Sequence, residues 1–242
     1  MASFASADKP GAELYKYLIG TVVPRPIAFV STRSREGHFN LSPFSFFNAI
    51  TGNPPTLAFS CNDRGGEMKD TSRNIGEHPE FIVHIVGEAI AERMNVSCGD
   101  YGADISEFAE AGFTPVPGTA VDVPRVAEAL VAFECKLLHH LRLGRENAHT
   151  SHIIGEVVYW HVDDGIVDPT ARSPIRTDVL KPIGRMGAVE YCRTTDRFSM
   201  ERPVIRPEDP RSIPSRKAAR AAQDAPARAA QDAPAQPPRP GR

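Results

Sequence analysis

The chain has no apolar run approaching the roughly 20 residues that a helix needs to cross a bilayer. Its first residues, MASFASADKPGAELYK, lack a basic segment leading into an apolar one, so no secretory signal is visible and the expected location is the cytoplasm. Cysteine is scarce. Cys61, Cys98, Cys135 and Cys192 stand far apart with no C-x-x-C pair, which argues against a disulfide framework or a zinc site and for most of them being small buried thiols. Neither sign of charge dominates: 28 Lys and Arg face 30 Asp and Glu, for a net charge of -2. That balance gives no case for nucleic acid or an anionic membrane as a partner. Several catalytic signatures are missing as well. There is no G-x-S-x-G elbow, no H-E-x-x-H, no Walker A loop and no G-x-G-x-x-G. His139 and His140 are neighbours, so on a strand they face opposite sides and cannot share one metal.

What is present fits one globular domain with an extension. The 242 residues are 41% hydrophobic and 24% charged. Composition changes near Pro203. Beyond it the chain is rich in Ala, Pro, Arg and Asp, and the unit RAAQDAPA occurs twice in tandem, at 220–227 and 228–235. A segment with almost no large apolar side chains cannot offset its chain entropy, so 203–242 is expected to be a disordered tail and 10–202 the folded domain.

Within the domain, strand patterns predominate. RPIAFVST (25–32) runs through a turn near Gly37 into a second strand, forming a hairpin. TLAFSCN (56–62) and EFIVHIV (80–86) are short β-rich runs. In VAFECKLLHHLRL (131–143), Val131, Phe133, Cys135, Leu137, Leu141 and Leu143 are expected on one face, with Glu134, Lys136, His140 and Arg142 on the other. SHIIGEVVYWHVDDGIVD (151–168) is a further β pattern, with Asp164-Gly165 expected as a hairpin turn. Short helices are expected at 12–20, 69–78, 88–98 and 104–113, the last stopped by Gly112. Strands in hairpin order with helices inserted indicate an antiparallel barrel with peripheral helices, not a doubly wound parallel sheet.

Two stretches suggest chemistry. CNDRGGEMKDTSRNI (61–75) leaves a strand, turns at Gly65-Gly66 and enters a helix at Lys69, Asp70, Thr71 and Ser72. Free N–H groups at a helix start attract an anion, and Lys69 and Arg73 add positive charge. The same residues also suit a plain capped helix start, with Asp70 or Thr71 as the cap. NLSPFSFFNAITGNPP (40–55) mixes Ser42, Ser45, Asn48 and Thr51 with Phe44, Phe46 and Phe47. Small hydroxyls and backbone amides can bond the polar edge of a planar ring while phenylalanines keep water off it, and a flavin is such a ring; core packing is the other use of these aromatics. If the segment is extended, Phe46 and Phe47 face opposite ways, so at least one packs in the core or at an interface. Pro43 is expected to interrupt strand pairing there and leave nearby amides free.

Taken in order, TVVPRPIAFVST, NLSPFSFFNAITGNPPTLAFSCN, KDTSRNI, SHIIGEVVYWHV and PIGRMGAVEYCRT resemble the flavin reductase-like FMN-binding split-barrel family over roughly residues 13–195. The resemblance implies a mainly β fold, a six-stranded antiparallel split β-barrel with peripheral helices, dimerising around FMN or, in some members, FAD. It places Ser31, Thr32 and Asn62 near the flavin, and Asn40, Ser42, Pro43, Phe44, Ser45 and Phe46 along the ring, largely through their backbone. Lys69, Asp70 and Thr71 would hold the phosphate end, and Arg25 would reach the phosphate or the ring edge. His152 would face the flavin or nicotinamide pocket, and Arg185 and Tyr191 would close over the cofactor or contact the second subunit. The implied activity is hydride transfer from NAD(P)H, as co-substrate, to bound FMN, with no catalytic side chain assigned; reduced flavin could pass to a partner monooxygenase. An FMN-binding electron carrier without nicotinamide turnover fits the same motifs.

Overall fold

The computed structural model describes residues 1–145 and 148–203, residue 148 by its backbone alone. Met1–Arg197 forms one unit; of the remainder, the described residues 198–203 contain no helix or strand. The tail expected to be disordered lies, from residue 204 on, outside the described residues. Among the described residues, no helix is long and apolar enough to cross a membrane.

The first helix, α1 (Gly11–Thr21), precedes four strands: β1 (Ala28–Arg33), β2 (Phe39–Phe44), β3 (Phe47–Gly52) and β4 (Pro55–Asn62). Then come α2 (Asp70–Glu77), β5 (Glu80–Ile85), α3 (Ala91–Val96) and α4 (Glu107–Glu110). Two short strands, β6 (Pro115–Pro117) and β7 (Pro124–Val126), lead into the long pair β8 (Val131–Arg145) and β9 (Ala148–Val162). The unit ends with α5 (Thr177–Leu180), β10 (Ile183–Arg185) and β11 (Tyr191–Arg193).

The main sheet has the antiparallel order β2-β1-β5-β8-β9-β4-β3. Its two outermost strands are consecutive in the chain, separated only by the bend at Ser45-Phe46. The Phe46 carbonyl accepts the Ser60 N–H of β4 at 2.8 Å. Counted as one bent strand, β2–β3 pairs with β1 at one end and β4 at the other, which closes a six-stranded split barrel. The β1–β2 hairpin turns at Gly37, whose φ of 94° explains the glycine. Ala28, Val30, Phe44, Phe59, Phe81, Cys135 and Ile153 fill the barrel. Gly155 is required by that filling, since a Cβ there would lie 2.4 Å from the Phe81 ring. A second core, with Phe29, Leu41, Met94, Phe108 and Phe113, packs α3 and α4 outside β1 and β2. His84 is fully buried beneath it. Its Nε2 accepts the Val126 N–H at 2.9 Å, so its Nδ1 carries the proton and donates to the Phe29 carbonyl at 2.8 Å. Burial lowers its pKa to about 4 and keeps it neutral.

Four sequence expectations need correction. Pro43 does not interrupt pairing: it stands opposite Phe29 in the β1–β2 ladder, on an edge strand where a missing N–H is tolerated. The alternation expected along β8 holds as far as Leu137, with Phe133, Cys135 and Leu137 packed on the barrel core, and is lost beyond it, where β8 carries an extra residue between Leu137 and His139. Glu134 lies on the face opposite Phe133 and Cys135, as expected, but is fully buried there because its carboxylate accepts the N–H groups of Thr119, Ala120 and Val121, while Leu141 and Leu143, beyond the extra residue, are exposed. Asp164-Gly165 is not a hairpin turn but part of a 3₁₀ turn at Asp164–Ile166, where the Asp163 carboxylate accepts the Gly165 N–H. Of the four thiols, only Cys61 and Cys135 are buried, whereas Cys98 is exposed.

Candidate functional site

The chain leaves β4 through Arg64, turns on Gly65 and Gly66 with φ of 60° and 88°, and enters α2 at Lys69. Only glycine takes that pair of left-handed conformations without strain. Lys69 is the N-cap residue, with extended backbone and no side-chain cap bond. The plain-cap reading is thus not realised: the Asp70 carboxylate turns to Arg73, with which it forms an ion pair. Among the described residues, the N–H groups of Asp70 and Thr71 make no backbone hydrogen bond, whereas the Ser72 N–H donates to Lys69 O at 3.0 Å. Two free donors at the positive end of a helix, beside Lys69, suit an anion.

Buried hydrogen bonds fix the geometry of this end. Asn40 Nδ2 donates to Thr71 Oγ1 at 2.9 Å and to Thr32 Oγ1 at 3.3 Å, and Asn74 Nδ2 donates to Thr32 Oγ1 at 3.1 Å. All four residues are buried. The network ties α2 to the β1–β2 hairpin. Because Thr71 accepts from Asn40, its own hydroxyl proton is left to donate outward.

A pocket of about 160 Å³ opens over this point. Asn40, Ser42 and Pro43 of β2 form one wall, and Lys69, Asp70 and Thr71 form another. Arg64, Cys98, Gly99, Tyr101 and Glu107 complete it. None of these five is among the site residues expected from the sequence. The loop residues Arg64, Cys98, Gly99 and Tyr101 carry no local signal, and Glu107 reads as an ordinary first-turn acid of an amphipathic helix. Instead it is buried, its Oε2 accepts the Leu41 N–H at 2.9 Å, and burial pushes its pKa up. Arg64 is ion-paired with Asp100. Gly99 lies so close to Tyr101 that a Cβ would stand 2.7 Å from its ring.

Farther along the same strand, at the Ser45-Phe46 bend, a second pocket of about 420 Å³ is lined by Leu18, Val22, Arg25, Ser45, Phe46, Phe47 and Asn48, with Pro24 and Pro26. It is as apolar as the first is polar. Phe46 lies 6.3 Å from Tyr15, ring to ring. Phe47 also lines this pocket while packing against the barrel core. Arg25 is buried and already committed: its guanidinium donates to the carbonyls of Ile19, Val22 and Met186 at 2.7–2.9 Å. It holds the end of α1 against the 186 segment, and contacts Ser45 Oγ at 3.3 Å, rather than reaching toward the polar pocket.

The other expected residues lie elsewhere. Ser31 is fully buried with its hydroxyl donated to Pro124 O, and Phe44 packs on Phe59 inside the barrel, 5.1 Å between rings. Neither they nor Thr32 line either pocket. Asn62 accepts from Thr150, and His152 Nδ1 sits 2.9 Å from Ser60 Oγ on the β4–β9 pair. Arg185 exchanges backbone hydrogen bonds with Arg25, and its guanidinium lies 4.5 Å over the Tyr191 ring. Tyr191 donates to Asn95 Oδ1 at 3.2 Å, facing α3.

The Flavin reductase like domain matches residues 19–174, and the chain belongs to that family. Uncharacterized protein YwrF of Bacillus subtilis (strain 168) is 40% identical over 205 residues, which cover 84% of this chain and 100% of that one. The crystal structure of nitrilotriacetate monooxygenase component B from Bacillus cereus matches with a TM-score of 0.79 and 34% identity, over 83% of this chain and 98% of that one. That of 2-nitrobenzoate 2-nitroreductase NbaA from Pseudomonas fluorescens matches with a TM-score of 0.75 and 35% identity, over 86% and 100%.

Proposed function

We propose that this chain is an FMN-dependent flavin reductase that takes hydride from NAD(P)H. The observation that carries this reading is the preformed polar pocket at the start of α2, in a chain of the flavin reductase-like family. Its donors fit a phosphate: two free helix N–H groups, the Lys69 ammonium, and the Thr71 and Ser42 hydroxyls. Its size fits the phosphate end and not a whole FMN, since pockets for ligands of that class run to about 300–1,000 Å³.

Bound FMN supplies a ring that accepts hydride, the chemistry no side chain here could perform. The chain's own work is to bind, orient and shield. Lys69 and Thr71 hold the phosphate, Asn40 keeps the Thr71 hydroxyl pointed outward, and Phe46 with Ser45 gives an apolar wall and a polar contact at the β2–β3 bend. A homodimer completes the ring end. Ile50, Leu138, Leu141, Leu143 and Trp160 are exposed on β3, β8 and β9, which is the apolar surface a second copy would cover. By analogy with the component B relative, the reduced flavin passes to a separate oxygenase.

The test is anaerobic mixing of the FMN-loaded protein with NADH and with NADPH. Loss of the oxidised flavin absorption with one of them is expected. FMN that stays oxidised with both removes the reductase assignment and leaves a flavin-holding protein.

A further inference from the structure

The polar pocket contains one group that an anion site does not need. Glu107 of α4 is 8% exposed and lines the same pocket as Lys69 and Thr71. The Leu41 N–H holds its Oε2 at 2.9 Å. Among the described residues, Oε1 makes no hydrogen bond to another residue. A buried carboxylate repels an incoming phosphate unless a proton lies between them. The charged and titratable groups facing Glu107 are Lys69 and Asp70 from α2, Arg64 from the loop after β4, and Cys98 and Tyr101. The strand packed directly against α4, β2, offers none. Asp70 adds to the repulsion, although Arg73 pairs with it.

We propose that Glu107 makes this pocket selective for a phosphate monoester: one proton, taken from solvent, is held between Glu107 Oε1 and a phosphate oxygen. No covalent bond is made or broken. A monoester has its second pKa near 6, so it can share a proton close to neutral pH. Sulfate and the diester phosphates of FAD are much weaker bases than the monoester dianion, so neither holds that proton as tightly near neutral pH. Glu107 therefore sets the preference for FMN over FAD. The inference rests on the flavin-phosphate reading above.

Calorimetry of FMN binding near pH 8, in two buffers of different ionisation enthalpy, tests it. Uptake of about one proton per FMN is expected, with affinity falling by up to about tenfold per pH unit between about pH 7 and 8.5. Glu107→Gln keeps an oxygen for the Leu41 N–H. It should take up no proton, bind FMN with little pH dependence, and admit FAD and sulfate. Riboflavin, which has no phosphate, should bind without proton uptake in both proteins. Absence of uptake in the parent, or equal uptake in Glu107→Gln, overturns the proposal. Inorganic phosphate separates the two readings: proton-linked phosphate binding without FMN binding overturns the flavin assignment and sustains the role of Glu107, whereas no binding of either overturns both. Should Glu107→Gln fail to fold, the parent decides alone, since it must bind phosphate and reject sulfate.

Discussion

The two pockets along β2 and its bend differ in how complete they are. The polar pocket is assembled from α2, β2, α4 and two loops, and buried hydrogen bonds through Asn40, Thr32 and Asn74 set its walls. The apolar pocket at Ser45-Phe46 is larger and open, with α1 and one bend of the sheet as its boundaries. Between them, Phe44 is spent on the barrel core. The difference follows from the ligand chemistry proposed. A phosphate needs donors placed in advance, because each misplaced one forfeits a charge-assisted bond. A flat aromatic ring needs apolar cover, which a second copy of the chain can bring.

That division can be broken at either end. The largest effect is expected from Lys69→Glu, which replaces a cation with an anion at the helix start. FMN affinity should fall about 100-fold, the size of a lost charge-assisted bond plus repulsion, while riboflavin affinity measured by fluorescence quenching stays within a few-fold. Thr71→Val should cost less. It removes the hydroxyl and leaves the Asn40 amide with only its longer bond to Thr32, so FMN affinity should fall about tenfold and the thermal midpoint by several degrees. Phe46→Ala should be milder still, weakening FMN and riboflavin alike by about fivefold, because an aromatic wall reads the ring and not the phosphate. A Phe46→Ala effect confined to FMN would erase the distinction between the two pockets.

Much of this frame was legible in the sequence. The β1–β2 hairpin with Gly37 at its turn, strands β4 and β5, and the helix start at Lys69 all follow from local pattern. The failures share a cause. β8 reads as a clean alternation because a bulge leaves no mark in composition; the extra residue between Leu137 and His139 turned Leu141 outward, while Glu134 keeps its face and is buried by the 119–121 segment. β3 escaped notice because residues Asn48–Gly52 are exposed and its pattern carries no buried face. In the site, the α2 residues were readable since a helix start is a local feature. Glu107 and Cys98–Tyr101 were not, because they meet α2 only through the packing of α4 on β2. Ser31 and Phe44, which the family resemblance put near the flavin, turn their side chains into the core by strand alternation, so any contact they make there is through the backbone.

The central claim is that the start of α2 reads the phosphate of a flavin. The most direct measurement is the ratio of FMN to riboflavin affinity in the unaltered protein, compared with the same ratio in Lys69→Glu. A parent ratio of about 100 that collapses toward one in the variant is the expected result. Equal affinities for FMN and riboflavin in the parent would contradict it.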